Sequence, residues 1–206
     1  MNINEDIQLD VEATGERILG RWADVRRHTR SVIEDHKLYK QEGQPMAEHR
    51  ETVLKQLRTL VDAGATQHGF QSEFGGTMNP GASLSSFEEL VFADPSLQIK
   101  YGVQYGLFSS AILYLGTEYH HKTFLGSAVS TETVGAFAMT ETGHGSDVAS
   151  IGTTATYDAD TKEFVIDTPD RHSHKDYLRN AALHGHAPVV LAQLYTDGET
   201  HAFHAL

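Results

Sequence analysis

The chain of 206 residues contains no cysteine. It therefore has no disulfide, no thiolate nucleophile and no zinc or iron–sulfur site with cysteine ligands. Basic residues are also scarce, since 16 Lys and Arg stand against 28 Asp and Glu and the formal net charge is −12. A surface this acidic repels a polyphosphate backbone, so we expect no nucleic-acid partner.

Long apolar runs are missing as well. The longest, such as residues 188–192, are far shorter than the roughly 20 residues of a membrane-spanning helix, so we expect no membrane span. The first ten residues are acidic and lack the basic and apolar regions of a secretory signal. These absences predict a soluble protein, with the cytoplasm as its default location.

The hydrophobic period changes near residue 133. Before this point apolar residues recur at steps of three and four, and one such stripe, from Ile18 to Val32, predicts a single helix. After it the period is two, which predicts strands. We therefore expect an α+β fold, with an all-α domain over residues 1–132 and a β domain over residues 133–206.

Local signals predict where two of the helices begin. Ser86 and Glu89 fit a capping box at the start of one helix. Asp94 followed by Pro95 fits the N-cap and first position of the next. This second helix, which extends to residue 115, is apolar nearly all round, as is typical of a helix buried between other helices or under a second domain.

The β part offers five strand candidates, with Asp197-Gly198 as a hairpin turn before the last one. They cover residues 135–139, 153–157, 163–167, 189–195 and 201–206. The last candidate runs to the end of the sequence, and an unpaired edge strand exposes its hydrogen-bonding groups. We therefore expect the β domain to be incomplete.

The stretch from Phe137 to Asp147 is dense in glycine and polar residues. Its residue types describe a strand that ends in a glycine-punctuated loop. In such a loop, backbone N–H groups approach an anionic or planar ligand, and Ser and Thr hydroxyls add donors. The alternative is a tight turn that needs glycine for a positive φ.

This stretch, FAMTETGHGSDV, resembles the loop that begins the central β domain in the acyl-CoA dehydrogenase and acyl-CoA oxidase superfamily. The resemblance continues through TTATYDADTKEFVIDTP, KDYLRNAALHG and VVLAQL, and upstream in GVQYGLFSSAILYLGTEYHHKTFL. His144, where dehydrogenases have a small residue, and the TTATYD block favour the oxidase branch. The resemblance implies an antiparallel, barrel-like β domain that is incomplete here, with the C-terminal helical bundle of the family absent.

The resemblance also implies FAD as the cofactor, bound between the β domain and the C-terminal bundle. Phe137, Met139 and Thr140 match positions that contact the flavin ring, and the Thr140 hydroxyl would bond near N5. Gly145 and Ser146 match positions where the phosphates of the cofactor and of acyl-CoA approach.

Tyr177 stands where many relatives have a tryptophan against the flavin, and Asn180 completes a K-x-x-x-x-N pattern of the family. Arg179 departs from the family, so it either pairs with the FAD pyrophosphate or obstructs the cofactor. Glu141 and Asp147 are expected to hold the loop rather than to take part in the chemistry.

The catalytic glutamate of the family belongs to the C-terminal bundle, so no residue of this chain is predicted to be catalytic. The sequence is thus predicted to be the N-terminal part of an FAD-dependent acyl-CoA oxidase, which forms trans-2-enoyl-CoA from fatty acyl-CoA and passes electrons to O2. The alternatives are a dehydrogenase fragment and a non-catalytic module that binds flavin, acyl-CoA or another protein.

Expected partners are fatty acyl-CoA, the missing bundle or a partner chain, and further copies in a full-length homo-oligomer. In a eukaryote the expected location is the peroxisome.

The 13 histidines include close pairs, such as His120–His121, His172 with His174, and His184 with His186. Two imidazoles at i and i+2 of a strand share a face, as metal ligands would. Neither an HExxH pattern nor accompanying carboxylates are present, so we expect no metal site.

Overall fold

The computed structural model describes residues 9–206, with helices in the first part and strands in the second. The helices are α1 (Val11–Leu19), α2 (Ala23–His36), α3 (Met46–Asp62), α4 (Pro80–Glu89), α5 (Pro95–Tyr101), α6 (Ser110–Leu115), α7 (Glu118–His120) and α8 (Gly126–Val129), with π-helical segments π1 (Gly102–Ser109) and π2 (His121–Leu125). The strands are β1 (Gly135–Ala138), β2 (Thr154–Asp158), β3 (Glu163–Asp167), β4 (Ala187–Thr196) and β5 (Glu199–Ala205). The predicted class, helices followed by a β domain, is confirmed.

The stripe from Ile18 to Val32 forms two helices rather than the predicted one. Gly20 adopts a φ of +67°, which ends α1, and a 3₁₀ turn leads into α2. Val32 is buried on α2, as predicted, but Ile18 on α1 is exposed. The glycine therefore breaks the helical period that the spacing of apolar residues implied.

The predicted capping box at Ser86 and Glu89 is wrong, because both residues lie inside α4. Asn79 caps this helix instead, with Pro80 at its first position. Ser86 and Glu89 are buried against α2, where Glu89 Oε2 accepts a hydrogen bond from Arg30 Nε at 2.6 Å. Their polar groups thus serve contacts between helices.

The helix predicted to begin at Asp94 is confirmed. Asp94 Oδ1 accepts a hydrogen bond from the backbone N–H of Ser96 at 2.8 Å, and Pro95 is the first helical residue. The helix then continues without a break through π1 and α6. Its far end is not buried as predicted, since Tyr114 and Leu115 are exposed.

The main hydrophobic core lies among the helices. Its fully buried members include Leu57, Leu60, Leu90, Leu97 and Leu125. A smaller cluster joins the helices to the sheet, where Phe108 of π1 packs with Val189 and Leu191 of β4.

The helical part also fixes the start of β1. The amide of the buried Gln104 donates to the carbonyls of Ala128 and Thr133, at 2.8 and 2.9 Å, and accepts from the Gly135 N–H at 2.8 Å. Gly135 is required here, because a Cβ would lie 1.9 Å from the Phe108 ring. The position of β1, and of the loop that follows it, therefore depends on π1.

Over residues 9–206 the sheet has five strands and is mixed, so the prediction of an antiparallel domain needs correction in the strand directions. Strand β4 pairs in parallel with β1 along its first half and with β2 along its second half. Among the strands of residues 9–206, the antiparallel pairs are β2–β3 and β4–β5, and in each a tight turn joins the two strands, at Asp197-Gly198 in the second. The parallel partners are joined by long segments, which parallel pairing requires.

Within residues 9–206, no helix is both long enough and apolar enough to cross a bilayer.

Candidate functional site

The glycine-rich loop follows β1 and runs alongside a second segment, residues 172–177. The N–H groups of Thr142 and Gly143 donate to the carbonyls of His174 and His172, at 2.9 and 2.8 Å. The N–H of Asp176 donates to the Thr140 carbonyl at 3.0 Å. These bonds bring Tyr177 next to Thr140, so two of the predicted site residues lie at the same end of β1.

Glu141 holds the loop from inside, since only 2% of its surface is exposed. Its carboxylate accepts hydrogen bonds from the N–H groups of Gly152 and Thr153, at 2.7 and 2.9 Å, and from Thr153 Oγ1 at 2.6 Å. The ammonium of Lys175 lies 3.0 Å from Glu141 Oε1 and also donates to the carbonyl of Leu191 at 2.7 Å. These five hydrogen bonds tie the loop to β4 and to the segment that precedes β2.

These contacts determine the protonation of Glu141. Burial by itself raises the pKa of a carboxyl group, but the hydrogen bonds from Thr153, Gly152 and Lys175 outweigh this effect and lower the pKa of Glu141 to about 2. An ionised carboxylate with all these donors is not available to take a proton from a substrate. The contacts of Glu141 are those of a residue that holds the loop, which is the role that we predict for it.

The loop also carries polar groups that the described chain does not use. Thr140 is partly buried and Ser146 is exposed, and neither hydroxyl makes a hydrogen bond with another residue in the range 9–206. Gly145 has no positive φ, and a Cβ placed on it would meet nothing within 4 Å. By contrast, a Cβ on Gly143 would lie 2.7 Å from His172. Nothing in the described chain therefore explains a glycine at 145.

Phe137 lies on β1, and Met139 directly follows this strand at the start of the loop. Both side chains pack against the cluster between π1 and the sheet, which includes Phe108 and Ile151. Tyr177 is the opposite case, since 80% of its surface is exposed and its φ is +57°. An exposed ring on a positive-φ residue has no packing role within the described chain.

Asn180 lies at the other end of β1 from the loop. Its Nδ2 donates to the Gly135 carbonyl at 2.9 Å, and its Oδ1 accepts from Lys100 Nζ at 2.8 Å. Both ends of its amide are thus engaged within the chain, and its contact with a cofactor remains a prediction. Lys100 is a site residue that the sequence motifs do not predict, although a single cation among apolar neighbours on a buried helix is a usable signal.

Within the described residues, no three His, Asp or Glu side chains are grouped closely enough to hold a metal ion. His184 instead bonds Glu51 through Nε2 at 2.8 Å, and His144 Nδ1 lies 3.3 Å from Glu141 Oε2.

Comparison with known proteins identifies relatives of the whole fold. Residues 23–132 match the family model of the acyl-CoA dehydrogenase N-terminal domain. The peroxisomal acyl-coenzyme A oxidase 3 of Arabidopsis thaliana is 36% identical over 166 residues, which is 79% of this chain and 24% of the relative. The chain thus spans about a quarter of the length of the curated relatives it matches.

Solved structures agree on the fold. An acyl-CoA oxidase from Lycopersicon esculentum (tomato) superposes with a TM-score of 0.72 at 24% identity, over 95% of this chain and 29% of the other. An acyl-CoA dehydrogenase from Bacillus anthracis, solved in complex with FAD, gives a TM-score of 0.69 at 24% identity, over 88% of this chain and 30% of the other.

Proposed function

The chain belongs to the acyl-CoA dehydrogenase family, in its oxidase branch, and we propose that it forms the flavin-facing N-terminal part of an FAD-dependent acyl-CoA oxidase. The complete enzyme would convert a fatty acyl-CoA to trans-2-enoyl-CoA, with O2 as electron acceptor. The observation that carries the proposal is the loop after β1, which presents unused hydroxyls, an unexplained glycine and an exposed aromatic ring at one place.

These residues fit a planar cofactor that carries phosphate. FAD supplies, when bound, a ring that accepts a hydride. The hydroxyl of Thr140 would donate to the ring and the exposed Tyr177 would stack on it, while the backbone of Phe137 and Met139 provides a rigid edge. Gly145 leaves room for a phosphate to reach the backbone, and the Ser146 hydroxyl would donate to it.

Asn180 contributes by positioning the strand. Its hydrogen bond to the Gly135 carbonyl fixes the start of β1, whose end carries Thr140. In the K-x-x-x-x-N pattern, Lys175 thus holds the loop at one end of β1 and Asn180 holds the other end.

Removal of the substrate α-proton falls to a base outside the described chain. Glu141, the carboxylate nearest the loop hydroxyls in sequence, is buried, ionised and saturated with donors. We therefore propose that the C-terminal bundle or a partner chain completes the pocket, and that the complete enzyme is a homo-oligomer. The same observation favours a second candidate, a module that binds flavin or acyl-CoA without catalysis.

A flavin titration tests the proposal. Purified chain should quench FAD fluorescence saturably, and Thr140→Val should weaken the binding because it removes the donor to the ring. Thr156→Val, on the exposed face of β2, is the matched control and should bind FAD like the wild type. Bleaching of bound flavin by acyl-CoA would show a complete enzyme; binding without bleaching would show the non-catalytic module. Equal binding by wild type and Thr140→Val would contradict the assigned site.

The location is proposed from the relatives. The Arabidopsis thaliana oxidase carries a peroxisomal name, so we propose the peroxisome in a eukaryotic source and the cytoplasm otherwise.

A further inference from the structure

A groove separates the helices from the segment that leads into β4. It lies between α3, α5 and residues 178–184, has a volume of about 510 Å³, and is distinct from the loop at the end of β1. Its apolar wall consists of Met46, Val53, Pro95, Ile99, Leu178 and Leu183. A volume and apolar lining of this kind are typical of sites for small organic molecules.

A buried cation forms the floor of this groove. Lys100 is 8% exposed, and its ammonium donates to Asn180 Oδ1 at 2.8 Å and to His184 Nδ1 at 3.1 Å. His184 Nδ1 is then the acceptor, so its Nε2 carries the proton and donates to Glu51 at 2.8 Å. Two of the three ammonium protons are thus held by partners, which orients the group.

The charge around Lys100 is not balanced. Burial lowers the pKa of Lys100 from 10.5 to about 8; Glu51 opposes this shift, and the positive charges of Arg50 and Arg58 add to it. At pH 7 the group is still an ammonium, and a buried ammonium close to other cations is stabilised by an anion.

The lining of the groove contains further cations that lack partners. Arg50 and Arg179 make no ion pair with any carboxylate in residues 9–206. The carboxylates nearby are already engaged, since Glu51 bonds His184 and Asp94 bonds His49 Nε2 at 2.6 Å. The groove is therefore cationic in a chain whose formal net charge is −12.

We propose that this groove binds a small organic phosphate. Arg50, Lys100 and Arg179 bind the phosphate oxygens, since guanidinium groups match phosphate geometry through paired N–H donors. The apolar wall contacts the organic body of the ligand. Arg179, which departs from the family pattern, thus has a role in this groove rather than at the flavin.

The groove reaches the start of β1 and the flavin loop follows its end, but one segment joins the two, since Leu178 of the groove directly follows Tyr177. Asn180 connects the groove to Gly135 at the start of β1, and Thr140 is five residues further along, or about 16 Å at 3.3 Å per residue. A bound phosphate would fix α3 and α5 to residues 178–184, and it would stabilise the junction between helices and sheet.

Isothermal titration calorimetry with phenyl phosphate at pH 7 tests the site. The wild type should bind saturably, and Arg179→Gln and Arg50→Gln should each bind about tenfold more weakly, because each loses a charge-assisted hydrogen bond. Arg171→Gln, which removes an exposed arginine outside the groove, is the control and should bind like the wild type. Both groove variants replace exposed side chains, so the fold is retained.

Two further probes sharpen the chemistry. Inorganic phosphate should bind more weakly than phenyl phosphate, because it lacks a body to contact the apolar wall. Benzoate binding as tightly as phenyl phosphate would overturn the phosphate assignment, and the absence of saturable heat, or equal affinity in all variants, would overturn the site. Thr140→Val should bind phenyl phosphate like the wild type, so this proposal and the flavin proposal fail separately.

Discussion

The helical and sheet parts of the molecule are stabilised in different ways. The helices close around a core of fully buried leucines, and this core belongs to residues 32–129. In the sheet, every residue of β3 and β5 is exposed, and buried side chains are concentrated on β1, β4 and the start of β2. Besides the small apolar cluster that it shares with π1, the sheet part relies on polar contacts, chiefly those of Glu141 with Lys175 and of Asn180 with Lys100.

This difference shows which part covers its own apolar surface. The helices bury their apolar side chains against one another, and this stabilisation depends on the area buried rather than on direction. The exposed Phe164, Val165 and Ile166 of β3 leave apolar surface uncovered, as expected of a sheet that packs against something further. Substitutions that separate the two parts test this comparison.

The largest effect is expected at Glu141. Glu141→Gln leaves the buried Lys175 ammonium without its counter-charge, which should cost about 4 kcal/mol in the sheet part. Hydrogen exchange should show lost protection at residues 141–153 and 172–177, while the fluorescence of Trp22, in the helical part, keeps its unfolding midpoint. Asp147→Asn is the control, because Asp147, which the sequence predicted to hold the loop, is exposed and its carboxylate makes no hydrogen bond or ion pair within residues 9–206. A fall in the unfolding midpoint of Trp22 together with the loss of protection in the sheet part would show that the two parts unfold as one unit.

The pH dependence of the sheet part should follow the same carboxylate. Because the pKa of Glu141 falls from 4.5 to about 2 on folding, its stabilisation is fully present above pH 4.5 and is lost as the pH falls through 2. The loss is about 3 kcal/mol, and it should be missing from Glu141→Gln. Urea denaturation of both proteins between pH 5 and pH 2 measures it; parallel curves for the two would contradict the assigned pKa.

The helical core should respond to a change of volume. Leu57→Ala creates a cavity at a fully buried site of α3 and should cost about 3 kcal/mol, measured as a shift in the urea midpoint of Trp22 fluorescence. Leu84→Ala, at an exposed position of α4, should cost less than about 0.5 kcal/mol. Similar losses of unfolding free energy in the two variants would contradict the burial of Leu57 in a packed core.

The smallest effect is expected on β3. Val165→Thr replaces an exposed side chain and should change stability by less than about 0.5 kcal/mol, whereas Val32→Thr buries a hydroxyl in the helical core and should cost about 2 kcal/mol. Differential scanning calorimetry compares the two. A large loss at Val165 would mean that β3 is covered, for example by a second copy of the chain.

Several features were predictable because they depend on neighbours along the chain. Asp94 begins a helix by accepting a hydrogen bond from the N–H of a residue two positions later, with Pro95 at the first helical position. The turn between β4 and β5 depends on the positive φ angles of the adjacent residues Asp197 and Gly198. The glycine-rich loop was recognisable for the same reason, since strand, glycines and hydroxyls are contiguous. The backbone geometry of such a motif is determined by residues that are adjacent in sequence.

Tertiary structure decided the features whose partners are distant in sequence. Ser86 and Glu89 have the spacing of a capping box, but contacts with α2, about 60 residues away, determine their role. Lys100 meets Asn180 across 80 residues and Glu51 meets His184 across 133, so no local pattern predicts the cationic groove. The parallel pairing of β1 and β4 is likewise a product of packing against π1. The sequence by itself therefore determined the order of helices and strands, some of their ends and the family, because these depend on short-range geometry and periodicity. Only the fold decided which polar groups are paired and which remain available for a ligand, because pairing depends on distances that the chain sets when it packs.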